Sequence, residues 1–224
     1  MQWEELGIEG AWLITPKKFE DDRGYFVETF RSEEFEANIG HPFNLRQANM
    51  SVSNAGVVRG IHYADVPPSQ AKYVSCTKGA IVDYIVDIRV GSPTFGKSVS
   101  VLLDSRAPRF VYLSEGLGHA LCALEDGSTV NYLVSESFNP GREHGVQPLD
   151  PALGIEWPKE DMDGNPLELL LSPKDTAAPL LTEAVERADM PALIRMQEGY
   201  DHSYYFISTF MPEHVVWHAQ RLNG

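Results

Sequence analysis

AIVDYIVDIRV, residues Ala80–Val90, is the stretch that decides the fold. Val82, Tyr84, Val86 and Ile88 alternate with Ile81, Asp83, Ile85, Asp87 and Arg89, the period of two that a pleated strand imposes on its side chains. Both carboxylates fall on one side, so one wall of the strand is expected to meet water and the other the core. Outward from it, similar segments crowd the chain: Leu45–Ser53, Val57–Tyr63, Lys72–Lys78, Lys97–Leu103, Arg109–Leu113, His119–Leu124 and Thr129–Ser135. Asn54-Ala55-Gly56, Lys78-Gly79, Gly91-Ser92-Pro93, Gly116 to Gly118 and Asp126-Gly127 separate them with residues suited to chain reversal. Many short strands at this spacing, with scarcely any helix between, specify an all-β sandwich or barrel of antiparallel pieces.

Before this block, AWLITPKKF (Ala11–Phe19) and GYFVETF (Gly24–Phe30) are β-type runs flanking a turn at Glu20-Asp21-Asp22-Arg23-Gly24. A short helix is expected over Ser32–Ile39, capped by Ser32 and stopped by Gly40. After Ser135 the β pattern fades into loops through Asn139-Pro140-Gly141, Trp157-Pro158 and Gly164. Helical pieces are expected over Ala178–Ala188 and Ala192–Glu198. With no internal repeat and no Gly/Ser linker, residues 1–180 read as one β domain and residues 181–224 as a partly helical C-terminal extension.

The chain has 224 residues, 43% of them hydrophobic, which suits one domain with a sizeable core and an appended tail. Its formal charge of −14 argues against duplex nucleic acid or an anionic membrane as partner. An anionic small molecule is compatible with that charge, because a few cations gathered in a pocket reverse the local field. Cys76 and Cys122 have no Cys or His at metal-ligand spacing and read as buried thiols of a reducing compartment. The acidic start lacks the basic and apolar runs of a secretory signal, and no stretch approaches the ~18 apolar residues of a membrane span. A cytoplasmic protein is expected.

The chemistry gathers in GVVRGIHYADVPPSQAK, Gly56–Lys72. His62, whose side-chain type titrates nearest neutrality, stands between Arg59 and Lys72 and is the natural proton acceptor there. A regular strand would send Arg59 and His62 to opposite faces, so an irregularity such as a bulge is expected at Gly60 to turn both inward. Tyr132, between Val130 and Val134, falls on the inward side of its strand. Blander readings stand beside these: His62 and Tyr132 as core residues, Arg59, Lys72 and Lys174 as surface cations, Asp175 as a turn cap, Arg23 paired with Asp21 or Asp22, Glu28 and Glu143 as solvated carboxylates.

Several stretches are hard to explain as packing. They are Asp22-Arg23-Gly24 with Phe26 and Glu28; Gln47, Asn49 and Ser51; RGIHY at Arg59–Tyr63; Pro67-Pro68 with Gln70 and Lys72; VDIRVGSPTFG at Val86–Gly96; LSEGLGHA at Leu113–Ala120; Tyr132; Glu143; and LSPKD at Leu171–Asp175. In combination they resemble the dTDP-4-dehydrorhamnose 3,5-epimerase family and its relatives that epimerise dTDP-4-keto-6-deoxysugars for antibiotic glycosides, over roughly residues 1–180. The resemblance implies a cupin-type β jelly roll, a homodimer, a dTDP-linked 4-keto-6-deoxyhexose as substrate, and catalysis without metal or other cofactor. It implies His62 as base with Asp175 its partner, Tyr132 as acid and Lys72 beside the sugar carbonyl. Arg23, Phe26, Glu28, Gln47, Asn49, Arg59, His119, Glu143 and Lys174 match nucleotide- or substrate-binding positions. Phe138 stands where the family commonly has a tyrosine stacked on thymine, so stacking survives and any role of the hydroxyl does not. Met190–Gly224 lies outside the resemblance.

Those residue types suit the reaction. Removing a hydrogen from carbon next to a ketone requires a base and something to hold the charge that appears on the ketone oxygen. His62 supplies the first and Lys72 the second. Asp175 would fix the imidazole tautomer, and Tyr132 would deliver a proton from the opposite face. GLGH at His119 resembles the second motif of metal-binding cupins, but His62 lacks a partner at i+2, so a pyrophosphate is a better guest than a divalent cation. Two readings from other classes stand as alternatives: a metal-dependent cupin enzyme, and a non-catalytic sugar-nucleotide binding protein. Inversion at C3, C5 or both stays open, with the RGIHY wording and the C-terminal extension leaning toward a single centre.

Overall fold

The computed structural model describes residues 1–67 and 69–187. The helix expected over Ala192–Glu198 and the end of the one expected over Ala178–Ala188 lie outside them. In chain order the elements are β1 (Gln2–Glu5), β2 (Ala11–Thr15), β3 (Lys18–Asp21), β4 (Gly24–Val27), α1 (Ser32–Ile39), β5 (Gln47–Ser53), β6 (Val57–Ala64), β7 (Lys72–Lys78), β8 (Ala80–Asp87), β9 (Ser98–Asp104), β10 (Phe110–Leu113), β11 (Leu117–Ala123), β12 (Ser128–Val134), β13 (Glu143–Gly145), β14 (Leu170–Leu171), α2 (Pro173–Thr176) and α3 (Leu181–Arg187).

The strands form two large sheets, ordered β1-β2-β10-β7-β12-β5 and β13-β6-β11-β8-β9, with β14 added in parallel to β6 and β3–β4 standing apart as a hairpin. The main core lies between the sheets, where Val74, Val111, Leu113 and Val130 of the first meet Ile81, Ile85, Leu103 and Leu121 of the second. On the outer face of the first sheet, α1 lays Phe35 among Tyr73, Phe110 and Tyr112, with Trp3, Trp12 and Phe30 around them. The outer face of the second is covered by the later chain, where Val146, Leu153, Trp157, Leu181 and Ala184 pack on Val58, Tyr84, Val86 and Cys122.

That cover corrects the expectation for β8. Its carboxylate side does not meet water: Asp83 and Asp87 are 1% and 0% exposed, because that side faces the sandwich interior and the other is covered by residues 146–184. A buried carboxylate needs compensation. Asp87 obtains it from Arg89, Ser92 and Thr94, which folds the GSPTFG stretch into a clasp around it, and Asp83 from His119.

α1 has the expected bounds, but its N-cap is Arg31 rather than Ser32 and carries no side-chain cap bond among the described residues. Arg31 instead reaches the carboxylates of Glu28, Glu33 and Glu34. Gly40, at φ +90°, ends the helix with its N–H on the Glu36 carbonyl, as expected. α3 starts at Leu181 rather than Ala178, because Pro179 disfavours helix in the residue before it and Asp150 accepts the Leu181 N–H at 2.8 Å. No helix among the described residues is long and apolar enough to cross a membrane.

Candidate active site

The site begins with a fault in one strand. In the pairing of β6 with β11, His62 lies opposite His119 and Arg59 opposite Leu121, so Gly60 and Ile61 together face the single residue Ala120. This is a bulge, and it falls at the expected glycine. Gly60 has φ +113°, and a Cβ there would lie 2.4 Å from the His119 carbonyl oxygen, so only glycine fits. The Gly60–Ile61 peptide is cis. With the extra residue absorbed, Ile61 packs outward while Arg59 and His62 line the same cavity.

That cavity, of about 570 Å³, opens between the sheets and is walled by β5, β6, β7, β11, β12 and β13 and by the segment from Leu170 to Asp175. Asn49, Arg59, His62, Lys72, His119, Tyr132, Glu143, Lys174 and Asp175 all line it. His62 and Tyr132 reach it from different sheets.

His62 Nε2 is 2.6 Å from Asp175 Oδ1, closing a contact between residues 113 apart in sequence. Ser172 caps α2 and donates its hydroxyl to Asp175 Oδ2 at 2.8 Å. Burial pushes the Asp175 carboxyl up, but His62, Ser172 and the Gly60 N–H outweigh it and hold the group below the usual carboxylate value. An ionised Asp175 only accepts, so Nε2 carries the proton and a neutral His62 keeps its lone pair on Nδ1.

The Tyr132 hydroxyl is 3.0 Å from Ser51 Oγ, and its ring stands edge-on to His119 with centroids 5.9 Å apart. Burial pushes the phenol up to about 12 against the opposing effect of the Ser51 hydrogen bond, so it keeps its proton at neutral pH. Burial draws the Lys72 ammonium down to about 8, while Glu143 and Asp83 pull the other way. Arg59 donates to Ser53 Oγ at 3.0 Å and to the Val52 carbonyl at 3.2 Å, which leaves part of its guanidinium free to bind an anion. Arg59, Lys72 and Lys174 outnumber the carboxylates Glu143 and Asp175 along the cavity wall, in a chain of net charge −14.

The remaining expected residues lie elsewhere. Arg23, Phe26 and Glu28 sit on or just after the β3–β4 hairpin, outside the cavity. Arg23 is 89% exposed at its side chain and paired with Asp21, and Phe26 is 65% exposed. Phe138 is 57% exposed, and its N–H donates to Gln47, which in turn donates to Asn49 of the cavity wall. Ser51, Gln70 and Ser172 also line the site, though given no role from sequence. Ser51 extends the two-residue period of Gln47 and Asn49, and Ser172 before Pro173 is a recognisable helix start. Among the described residues no three His, Cys, Asp or Glu side chains cluster as a metal ion would need.

Comparison with known proteins shows the family to which the chain belongs. The sequence profile of the family described as dTDP-4-dehydrorhamnose 3,5-epimerase matches residues 5–183. A dTDP-4-dehydrorhamnose 3,5-epimerase of Mycolicibacterium smegmatis is 53% identical over 191 residues, 85% of this chain and 91% of its own. A dTDP-4-dehydrorhamnose 3-epimerase of Streptomyces niveus is 50% identical over 197 residues, 88% and 92% of the two chains. Among solved structures, a 3'-monoepimerase of Streptomyces bikiniensis in complex with dTDP-quinovose superposes with a TM-score of 0.77 at 46% identity, over 83% of this chain and 90% of its own. The two-sheet architecture is the cupin-type jelly roll of these relatives. With a match spanning all but its ends, and about half its residues shared with relatives of nearly its own length, the chain belongs to the dTDP-4-dehydrorhamnose 3,5-epimerase family.

Proposed function

We propose that the chain epimerises a dTDP-linked 4-keto-6-deoxyhexose, inverting C3, C5 or both by removing a proton next to the C4 ketone and returning one to the opposite face. The observation that carries this is the entry of His62 and Tyr132 into one cavity from opposing sheets, which suits a base and an acid acting on the two faces of one ring. His62 Nδ1 takes the proton while Asp175 stabilises the imidazolium. Lys72 holds the negative charge on the C4 oxygen, and Tyr132, still protonated, delivers the new hydrogen. Arg59 and Lys174 attract the diphosphate, while Asn49 and Glu143 offer polar contacts to the sugar nucleotide. The steps as written use no metal or other cofactor.

The working unit is proposed to be a homodimer. Phe19 and Phe26 of the hairpin and Met50 and Val52 of edge strand β5 are apolar and exposed, more than an isolated chain needs at its surface. Exchange of hairpins between two copies would bury them and let Arg23, Phe26 and Glu28 reach the partner's cavity, with Phe138 offering an aromatic face to the thymine.

The test is NMR of candidate dTDP-ketosugars in deuterated water. Deuterium is expected at the carbon next to the ketone together with inversion. Tyr132→Phe is expected to retain exchange on the His62 face while inversion falls by about 10² or more, the range for a lost general acid. Binding without exchange in the wild-type protein would overturn the assignment.

A further inference from the structure

The chemistry above leaves unused one buried charged group that lies behind the cavity wall, bonded to the lining residue His119. Asp83 of β8 is fully buried; its Oδ2 accepts from His119 Nε2 at 2.7 Å, and its Oδ1 has no hydrogen-bond partner among the described residues. A carboxylate oxygen sealed from water without a donor is costly unless a cation nearby compensates it. Lys72 lies in its field, and so does the phenol of Tyr132. Thus one carboxylate touches the ring that packs on the proposed acid and also acts, through its charge, on the proposed enolate-binding ammonium.

We infer that Asp83 is a positioning residue for the epimerisation, holding the His119 ring against Tyr132 from within the sandwich and adding a fixed negative charge behind the cavity that Lys72 lines. The inference rests on the epimerase assignment and deepens it. His119 cannot turn away while Oδ2 holds Nε2, so the edge-on contact with Tyr132 is fixed. Two acids favour the charged form of Lys72, first Glu143 of β13 and then Asp83 of β8. On the other walls β6 brings Arg59 and His62, and the α2 segment brings Lys174 and Asp175, the latter already committed to His62. Burial drives the ammonium toward its neutral form, and a neutral amine cannot hold an enolate oxygen. Without the Asp83 charge, only Glu143 opposes that drive, and Lys72 loses its proton at lower pH.

The experiment is the pH profile of kcat/KM for epimerisation in the wild type, Asp83→Asn and Asp83→Glu, with thermal melts to verify folding. Wild-type activity is expected to fall above about pH 8, where Lys72 deprotonates. In Asp83→Asn that fall moves to lower pH by about half a unit, giving roughly threefold loss at pH 9 and less than twofold at pH 6.5. Asp83→Glu restores the limb in part. Asp83→Ser, which leaves room for a water, gives the same reading if the amide destabilises the fold. Variants that lose activity equally at every pH, with the alkaline limb where the wild type has it, would overturn the inference and leave Asp83 a structural anchor. A wild-type protein with no solvent exchange would instead overturn the epimerase assignment on which it rests.

Discussion

Replacing Gly60 by alanine tests whether the bulge in β6 makes the site. Two costs are separable. Gly60 sits at φ +113°, where a side chain is strained by about 1–2 kcal/mol or more. Its new Cβ would also lie 2.4 Å from the His119 carbonyl oxygen and 2.8 Å from Ala120 Cα, both backbone atoms that cannot rotate aside. Overpacking of that kind adds about 1–3 kcal/mol, for a total of roughly 2–5 kcal/mol. For a domain of this size the melting temperature should fall by roughly 5–15 °C. Gly154 is the control, with φ +57° and nothing within 4 Å of its Cβ position. Gly154→Ala should cost only about 1 kcal/mol, or roughly 2–4 °C. Activity separates the two further. Gly60 sets which face His62 occupies and lends its N–H to Asp175, so relaxing the bulge displaces the base and should cost about 10² in rate or more. The assays are a thermal melt and deuterium exchange into the ketosugar, on protein shown to be folded. A Gly60→Ala protein that melts with Gly154→Ala and turns over at the wild-type rate would refute the claim that the bulge is what joins Arg59 and His62.

Asp175→Asn should lower the epimerisation rate by about 10²–10⁴, since the amide no longer stabilises the imidazolium. Its stability penalty should follow the depressed carboxyl, being fully present above pH 3.8 and vanishing as acid titrates the wild-type group, which acid unfolding curves will show. Lys72→Met should abolish most activity yet raise stability at neutral pH. Folding draws that amine from 10.5 to about 8, so the charge opposes folding below pH 8 and ceases to do so between 8 and 10.5. The gain at pH 7 should be about 2 kcal/mol once cavity water is allowed for, shrinking toward pH 10 in a series of melts. A Met50→Asp, Val52→Asp double variant should run as a monomer in light scattering, with reduced turnover because the hairpin residues no longer reach a second cavity.

Much of the fold was legible because alternation is a local property. Lys72–Lys78 has the same bounds in pattern and in structure, and most other strands differ from their pattern by a residue or two at the ends. The elements that escaped notice are short or polar. β1 carries two glutamates on a sheet edge, β13 and β14 have three and two residues, and α2 is a single turn, too little chain for a period to register. Of the site, His62 was readable from residue type and the inward phase of Tyr132 from its strand, while the roles of Tyr132, Lys72 and Asp175 came from the family resemblance; the bulge was readable from a glycine where two inward residues stood three apart.

Asp83 marks the limit of that reading. A strand with polar residues on alternate positions looks the same whether its polar row meets solvent or the inside of a sandwich, because the pattern records side-chain phase and not what lies opposite. Phase, turn chemistry and the identity of the reactive groups are written in near neighbours along the chain. The pairing of His62 with Asp175, the seat of His119 on Asp83 and the covering of the second sheet by residues 146–184 join segments far apart in it, and only the closed fold, by excluding water from charged groups, decides which of them must meet.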